Sequence, residues 1–151
     1  MIRRRTFLLG VAAIGLGACG GDDNKGDDGP PKISYGSETC DRCNMVIGEE
    51  RHAAALKVAD GEWLAFDDTG EMVATAQDSA GGDYKAWVHD YETSAWHDAT
   101  AAYYVWLPNR STPMATGIVA YGDQARAEAK AQETGGWSKS WTALLADWTM
   151  S

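Results

Sequence analysis

The sequence has few of the residues that bind nucleic acid or build common enzyme sites. Its 151 residues include 13 Lys and Arg against 22 Asp and Glu, a net charge of −9. This excludes nucleic acid as a partner, because affinity for phosphate backbones depends on basic residues. Only three cysteines and three histidines occur, without a second C-x-x-C or an H-x-x-x-H, so a four-ligand zinc site is not expected. No acid–base pair or Ser/His/Asp arrangement is present either, which argues against an enzyme.

The longest apolar run is confined to the N-terminus. A basic start, an apolar stretch from Phe7 to Leu16 and small residues after it predict a secretory signal peptide over residues 1–18. The stretch "RRTFL" resembles a twin-arginine signal, which directs the export of folded proteins. The stretch "LGAC" resembles a bacterial lipobox, so Cys19 is predicted to carry lipid. The protein would then be held on the periplasmic or extracellular side of a membrane without a transmembrane helix.

The segment after Cys19 lacks the residues that form a core. Gly, Asp and Pro dominate residues 19–33, which predicts a flexible acidic tether. Residues 34–151 remain as one folded domain, long enough to bury a core of bulky aromatic residues. Without the three N-terminal arginines the chain has a net charge of −12, spread along its length. This charge favours solubility and attracts cations only weakly.

Hydrophobic periodicity predicts an α+β domain with small antiparallel sheets and packed helices. Strands are expected over residues 52–59, 62–66, 84–89, 101–107 and 117–121. One helix is expected after an aspartate cap at Asp67 or Asp68, and another after Asp123. Strand, aspartate cap, helix and double glycine recur about 55 residues apart, which indicates an internal duplication of a ββα-type unit. A final core-packing helix is predicted from the helical spacing of Trp137, Trp141, Leu144, Leu145 and Trp148.

The stretch "CDRCNMVI" (40–47) is the main candidate for chemistry. A structural disulfide between Cys40 and Cys43 would close a very small loop and so gain little loop entropy. A redox dithiol normally stands at the start of a helix, whereas the following residues lead towards a hairpin. Met45 lies two residues after Cys43, so in an extended segment both side chains point to the same side. Thiolate and thioether together form a soft pair that selects Cu(I).

Two soft ligands bind copper loosely, so a third is expected from elsewhere in the chain. Met114 stands in a Ser/Thr/Pro loop before a strand, where no local packing need explains it. A loop methionine packed onto the core is an equally good account of that position. Met72 lies inside the first predicted helix as core filler, and Met150 stands near the end of the sequence. The histidines are further candidates for this ligand.

The pattern C-x-x-C-x-M-x-I resembles the signature of the NosL family, copper-binding lipoproteins of the nitrous oxide reductase system. Further blocks resemble that family in the same order, namely "FDDTGEM" (66–72), "VHDYET" (88–93) and "TPMATGIVAY" (112–121). The resemblance implies a Cu(I) metallochaperone of two related ββαβ-type modules. It implies copper held by Cys43, Met45 and Met114. It also implies delivery of copper to nitrous oxide reductase with the help of a membrane ABC transporter complex. Cys40 stays open as a second ligand, a disulfide partner or a bystander.

Three residues near the predicted ligands depart from the family pattern. Asn44 and Ala115 stand where glycine or other residues are common, and His52 replaces what is usually an aromatic or apolar residue. His52 offers an extra nitrogen ligand, although an exposed histidine at the start of a strand is the simpler expectation. Asp68 is expected to cap a helix and Asp90 to lie on a polar rim. With His52, these two aspartates are candidates to support the copper ligands from outside.

Two other functions stay open at this point. An exported thiol–disulfide oxidoreductase would use Cys40 and Cys43 and be indifferent to the methionines. A structural lipoprotein with an incidental disulfide would bind no metal.

Overall fold

The computed structural model of the chain describes residues 29–59, 61–79 and 82–151. The predicted signal peptide, Cys19 and most of the predicted tether lie outside these residues. The α+β class is confirmed, with two antiparallel sheets and three α-helices in the described part. The elements are β1 (Ala54–Val58), β2 (Trp63–Phe66), α1 (Thr69–Asp78), β3 (Tyr84–His89), β4 (Trp96–Asp98), β5 (Tyr103–Trp106), β6 (Ile118–Tyr121), α2 (Gln124–Thr134), β7 (Trp137–Ser140) and α3 (Trp141–Asp147).

The first sheet forms around β1, in the order β2-β1-β3-β4. The predicted hairpin is confirmed, because β1 and β2 pair antiparallel with Ala54 opposite Phe66. Helix α1 follows β2 and begins after the predicted cap. The extended backbone of Asp68 lets its side chain accept from the Gly70 N–H at 2.8 Å. Strand β3 then returns to the other side of β1.

The second sheet repeats this topology. Strand β5 pairs with β6 and then with β7, in the order β6-β5-β7, and α2 stands between β6 and β7 along the chain. Asp123 caps α2 through the Arg126 N–H, as predicted. Gly135 ends α2 with a φ of 73°, and a Cβ on Gly136 would overlap the Trp106 carbonyl. The expected duplication is therefore present as two hairpin–helix–strand units.

The prediction of a helix from Trp137 onward is wrong for its first residues. Residues 137–140 form β7, in which Trp137 lies directly opposite Trp106 on β5. Cross-strand pairing of two large aromatic side chains overrides the helical spacing of the segment. Ser140 then caps α3 through the Ala143 N–H. The short edge strand β4 was not among the predicted strands.

One core cluster links most of the elements, and Met72 is fully buried within it, as expected for core filler. The sheets are joined where Asp90, just after β3, forms a parallel bridge with Ala120 of β6. None of the described helices is both long and apolar enough to span a bilayer.

Candidate metal centre

The loop that carries Cys40, Cys43 and Met45 is a closed turn. The Asn44 N–H donates to the Cys40 carbonyl at 3.0 Å, and the Cys40 N–H donates to the Met45 carbonyl at 2.8 Å. Asn44 has a φ of 60°, in the left-handed region. The segment is therefore not extended at Asn44, contrary to our expectation. The chain must reverse here because Thr39 pairs with Val46, so a bend sets the directions of Cys43 and Met45.

Cys40 is buried, and its thiol is engaged on several sides. The Sγ donates to Glu71 Oε2 at 3.1 Å, and the N–H groups of Arg42 and Cys43 approach the sulfur at 3.4 and 3.5 Å. Cys40 and Cys43 are both free thiols. One ligand atom each from Cys40, Cys43 and Glu71 lies within 4.8 Å of the other two, a group that could hold a metal ion.

Glu71 is the residue of this site that the sequence reasoning missed. Its place in the first turn of a helix suggested only a favourable interaction with the helix dipole. In the structure the side chain is buried and faces Cys40. The sequence did contain a signal that Glu71 is buried. Glu71 follows the helix cap by one turn and stands next to Met72, in a part of the helix that is mostly buried.

Cys43 is half-buried and packs against the core. Burial raises the pKa of the Cys43 thiol to about 12, and the neighbouring Cys40 and Glu71 contribute to the rise. The thiol is therefore protonated near neutral pH, and metal binding must displace its proton. A redox dithiol requires a helix that starts beside the pair, whereas the next α-helix begins at Thr69.

The two candidate methionine ligands are exposed. Met45 is 57% exposed and Met114 is 40% exposed. Among the described residues, the other large apolar side chains with such exposure are Val46 and Met150. Thioethers presented on surface loops are accessible to a soft metal ion and to an incoming protein partner.

The loop that carries Met114 is fastened to the start of α1. Its N–H donates to Asp68 Oδ2 at 2.9 Å, and the Thr112 hydroxyl donates to the same oxygen at 2.7 Å. The Thr116 hydroxyl donates to Asp68 Oδ1 at 2.5 Å. Asp68 and Glu71 stand in the same helical turn, so the Met114 loop and the Cys40–Met45 loop meet at one end of α1.

His52 is buried rather than exposed, contrary to the expectation for a strand-start histidine. It ends a short 3₁₀ turn, Glu50–His52, and its ring packs against Tyr91 at 5.6 Å between centroids. Only 6% of the residue is exposed, and its Nδ1 has no hydrogen-bond partner in the described part of the chain. Burial lowers its pKa. His52 also lines a cavity of about 490 Å³ whose walls come from both ligand loops, including Val46, Gly48, Thr112 and Pro113.

Asp90 is fully buried and joins the two sheets, contrary to the expectation that it lies on a polar rim. Its carboxylate accepts from Arg126 at 2.7 Å and from the Gly122 N–H at 2.9 Å, and it also accepts from two N–H groups of its own turn. These hydrogen bonds hold its pKa well below the usual range although burial opposes them. Among the described residues, its hydrogen-bond partners include none of the candidate copper ligands.

The loops that carry the candidate ligands are thus fastened to one end of α1, on a duplicated ββαβ fold. The sequence profile of the family described as NosL matches residues 32–148. The chain belongs to the NosL family. The segment that matches the family therefore includes nearly all of the described residues.

Two individual relatives agree with this assignment. The copper-binding lipoprotein NosL of Stutzerimonas stutzeri is 27% identical over 141 residues, covering 87% of this chain and 74% of that protein. The crystal structure of the copper chaperone NosL from Shewanella denitrificans matches with a TM-score of 0.58 and 18% identity, over 75% of this chain and 96% of that chain. The structural match confirms the fold. Neither name denotes an enzyme, in agreement with the prediction of a non-enzymatic protein.

Both residues that depart from the NosL pattern beside candidate ligands have left-handed backbones. Asn44 follows Cys43 with a φ of 60°, and Ala115 follows Met114 with a φ of 55°. Glycine adopts this conformation without strain, asparagine tolerates it, and alanine does so at a cost. At both positions the backbone therefore adopts a conformation that glycine would suit better than the residue present.

Proposed function

We propose that this protein is a lipid-anchored, extracytoplasmic Cu(I) metallochaperone that supplies copper for the copper centres of nitrous oxide reductase. The observation that carries the proposal is the meeting of two ligand loops at the first turn of α1. One is tied to Glu71 through Cys40, and the other is tied to Asp68 through the Met114 N–H. Cys43, Met45 and Met114 are the proposed copper ligands.

The chemistry of these side chains suits a carrier of Cu(I). One thiolate and two thioethers are soft ligands, which favour Cu(I) over harder ions. The exposure of both methionines leaves the ion open on one side, so that a ligand of the acceptor can enter before the donor's ligands leave. Copper passes by ligand exchange through a shared intermediate, without any change of oxidation state.

The role of Cys40 is secondary in this proposal. Its thiol already donates a hydrogen bond to Glu71 and accepts hydrogen bonds from two backbone N–H groups. It therefore shapes the loop that presents Cys43. We expect a smaller loss of copper affinity from Cys40→Ser than from Cys43→Ser.

Copper binding is tested with ligand variants. Cys43→Ser and Met45→Leu should each lower Cu(I) affinity at least about tenfold, measured by competition with a chromophoric Cu(I) chelator under anaerobic conditions. Met150→Leu is the matched control, because Met150 is as exposed as Met114 and is not one of the proposed ligands. Unchanged affinity in both Cys43→Ser and Met45→Leu would refute the proposal.

Location and partners belong to the same proposal. The Stutzerimonas stutzeri relative is named a lipoprotein, which supports lipidation of Cys19 behind a signal peptide over residues 1–18. Residues 19–32 then act as the tether, and the copper-binding domain begins at Ile33, which is buried in the core. Nitrous oxide reductase and its copper-related ABC transporter complex are the proposed partners. Labelling of cells with a palmitate analogue should mark the wild type but not Cys19→Ala, and deletion of the gene should leave the reductase copper-deficient.

The alternative of a thiol–disulfide oxidoreductase receives less support, because in the described structure no α-helix begins beside Cys40 and Cys43 to stabilise a thiolate. Insulin reduction separates the two functions. An oxidoreductase would be active and would keep that activity in Met45→Leu and Met114→Leu.

A further inference from the structure

The carboxylate of Asp68 has more hydrogen bonds than a helix cap uses. Its Oδ1 accepts from the Gly70 N–H, which is the cap itself, and from the Thr116 hydroxyl. Its Oδ2 accepts from the Thr112 hydroxyl and from the Met114 N–H. We infer that Asp68 is a positioning residue of the copper site, which fixes the Met114 loop before copper arrives.

The internal repeat supplies a comparison within the same chain. Asp123 occupies the equivalent cap position of α2, is exposed, and accepts from one backbone donor, Arg126 N–H. Asp68 is 0% exposed and has three further donors, all from residues 112–116. Capping explains one of the four hydrogen bonds, and holding the loop explains the other three.

The backbone of α1 is also adapted to this contact. A Cβ on Gly70 would overlap the Thr116 side chain, so the loop approaches the first helical turn more closely than another residue would allow. Thr116 is itself buried at this contact, while Met114, two residues earlier, is exposed. Hydrogen bonds to Asp68 thus hold the loop at residues 112–116, while the side chain of Met114 stays exposed.

Preorganisation of this kind raises affinity. A loop fixed in the free protein does not have to lose its conformational freedom when it binds a ligand. This inference rests on the proposed role of Met114 as a copper ligand. Loss of the Asp68 contacts should lower Cu(I) affinity without removing any ligand.

Asp68→Asn separates the two tasks of the side chain. The remaining oxygen can still cap the Gly70 N–H, whereas the amide NH₂ cannot accept from Thr112 or Met114. We expect Cu(I) affinity to fall about tenfold in chelator competition, and the number of sulfur ligands to fall from three to two in X-ray absorption. Asp123→Asn is the matched control and should leave both readouts unchanged.

A double-mutant cycle with Met114→Leu decides whether Asp68 acts through Met114. If it does, Asp68→Asn weakens copper binding in the wild-type background and has no further effect in Met114→Leu. Equal effects in both backgrounds, or a lower melting temperature with unchanged affinity, would overturn the inference. No effect of Met114→Leu itself would instead refute the proposed ligand set and the inference with it.

Should Asp68→Asn not fold, Thr112→Val removes one hydroxyl donor to Oδ2 and is put through the same cycle.

Discussion

At the scale of single residues, the Cys40–Glu71 contact makes the cysteine important for stability. Glu71 is 2% exposed and accepts a hydrogen bond from the Cys40 thiol. Cys40→Ala would leave a buried carboxylate oxygen without this donor, at a cost of about 2 kcal/mol in the free energy of unfolding. Cys40→Ser keeps a small donor and should cost less than half as much. Urea denaturation of the apo proteins measures both, and equal losses would show that the contact with Glu71 contributes little.

His52 is a residue whose replacement should stabilise the protein. Its Nδ1 is buried without a partner in the described structure, and phenylalanine fills nearly the same space beside Tyr91. We expect His52→Phe to raise the free energy of unfolding by about 1 kcal/mol at neutral pH.

The gain from His52→Phe should grow as the solution becomes acidic. Burial places the folded-state pKa of His52 below its ordinary value of 6.5, so below that value the unfolded chain binds more protons at this position and wild-type stability falls. Phenylalanine removes this loss. The difference between variant and wild type in urea denaturation should therefore be larger about one pH unit below that ordinary value than one unit above it. A difference independent of pH would mean that the histidine titrates alike in both states.

At the scale of elements, the loop after Met114 contains backbone strain that glycine would relieve. Ala115 has a φ of 55°, which disfavours residues with a Cβ. Ala115→Gly should stabilise the apo protein by about 1 kcal/mol. Ala129→Gly, on the exposed face in the interior of α2, is the matched control and should destabilise by a similar amount, because glycine weakens helix interiors. The same sign for both substitutions in thermal denaturation would contradict the assignment of strain to Ala115.

The elements also show what the sequence can and cannot predict. Helices α1 and α2 were predictable because Asp68 and Asp123 mark their starts through local hydrogen bonds. Strand β7 was not, because its conformation depends on pairing with β5, which lies about 30 residues earlier in the chain. The ligand types in "CDRCNMVI" were evident from their chemistry. The buried partner of Cys40 was not, because Glu71 reaches it only after α1 packs against the core.

At the scale of the whole molecule, the two modules differ where the site lies. Only residues 59–62 separate β1 from β2, whereas β5 and β6 are separated by residues 107–117. This longer connection crosses from the second module to α1 of the first and carries Met114. Most residues of the candidate centre precede β3, but Met114 comes from the second module. The centre therefore depends on both modules, and the two sheets must be fixed relative to each other.

Asp90 supplies part of that placement, and its contribution should depend on pH. Its carboxylate links the turn after β3 to Gly122 and Arg126 of the second module. Hydrogen bonds to these groups depress its folded-state pKa below the ordinary value of about 4. The stabilisation is therefore complete above that ordinary value and is lost as the pH falls through the folded-state pKa.

Asp90→Asn should lower the free energy of unfolding by roughly 2 kcal/mol at neutral pH, because it removes charge-assisted hydrogen bonds. The difference from wild type should shrink at about pH 3, below the ordinary aspartate pKa, where the wild-type carboxylate begins to lose its advantage over the amide. Asp123→Asn is the control, since that exposed aspartate caps α2 without joining the modules. Urea denaturation at both pH values measures the effect. A loss that is the same in neutral and acidic solution would mean that the shape of the side chain, and not its charge, holds the two sheets together.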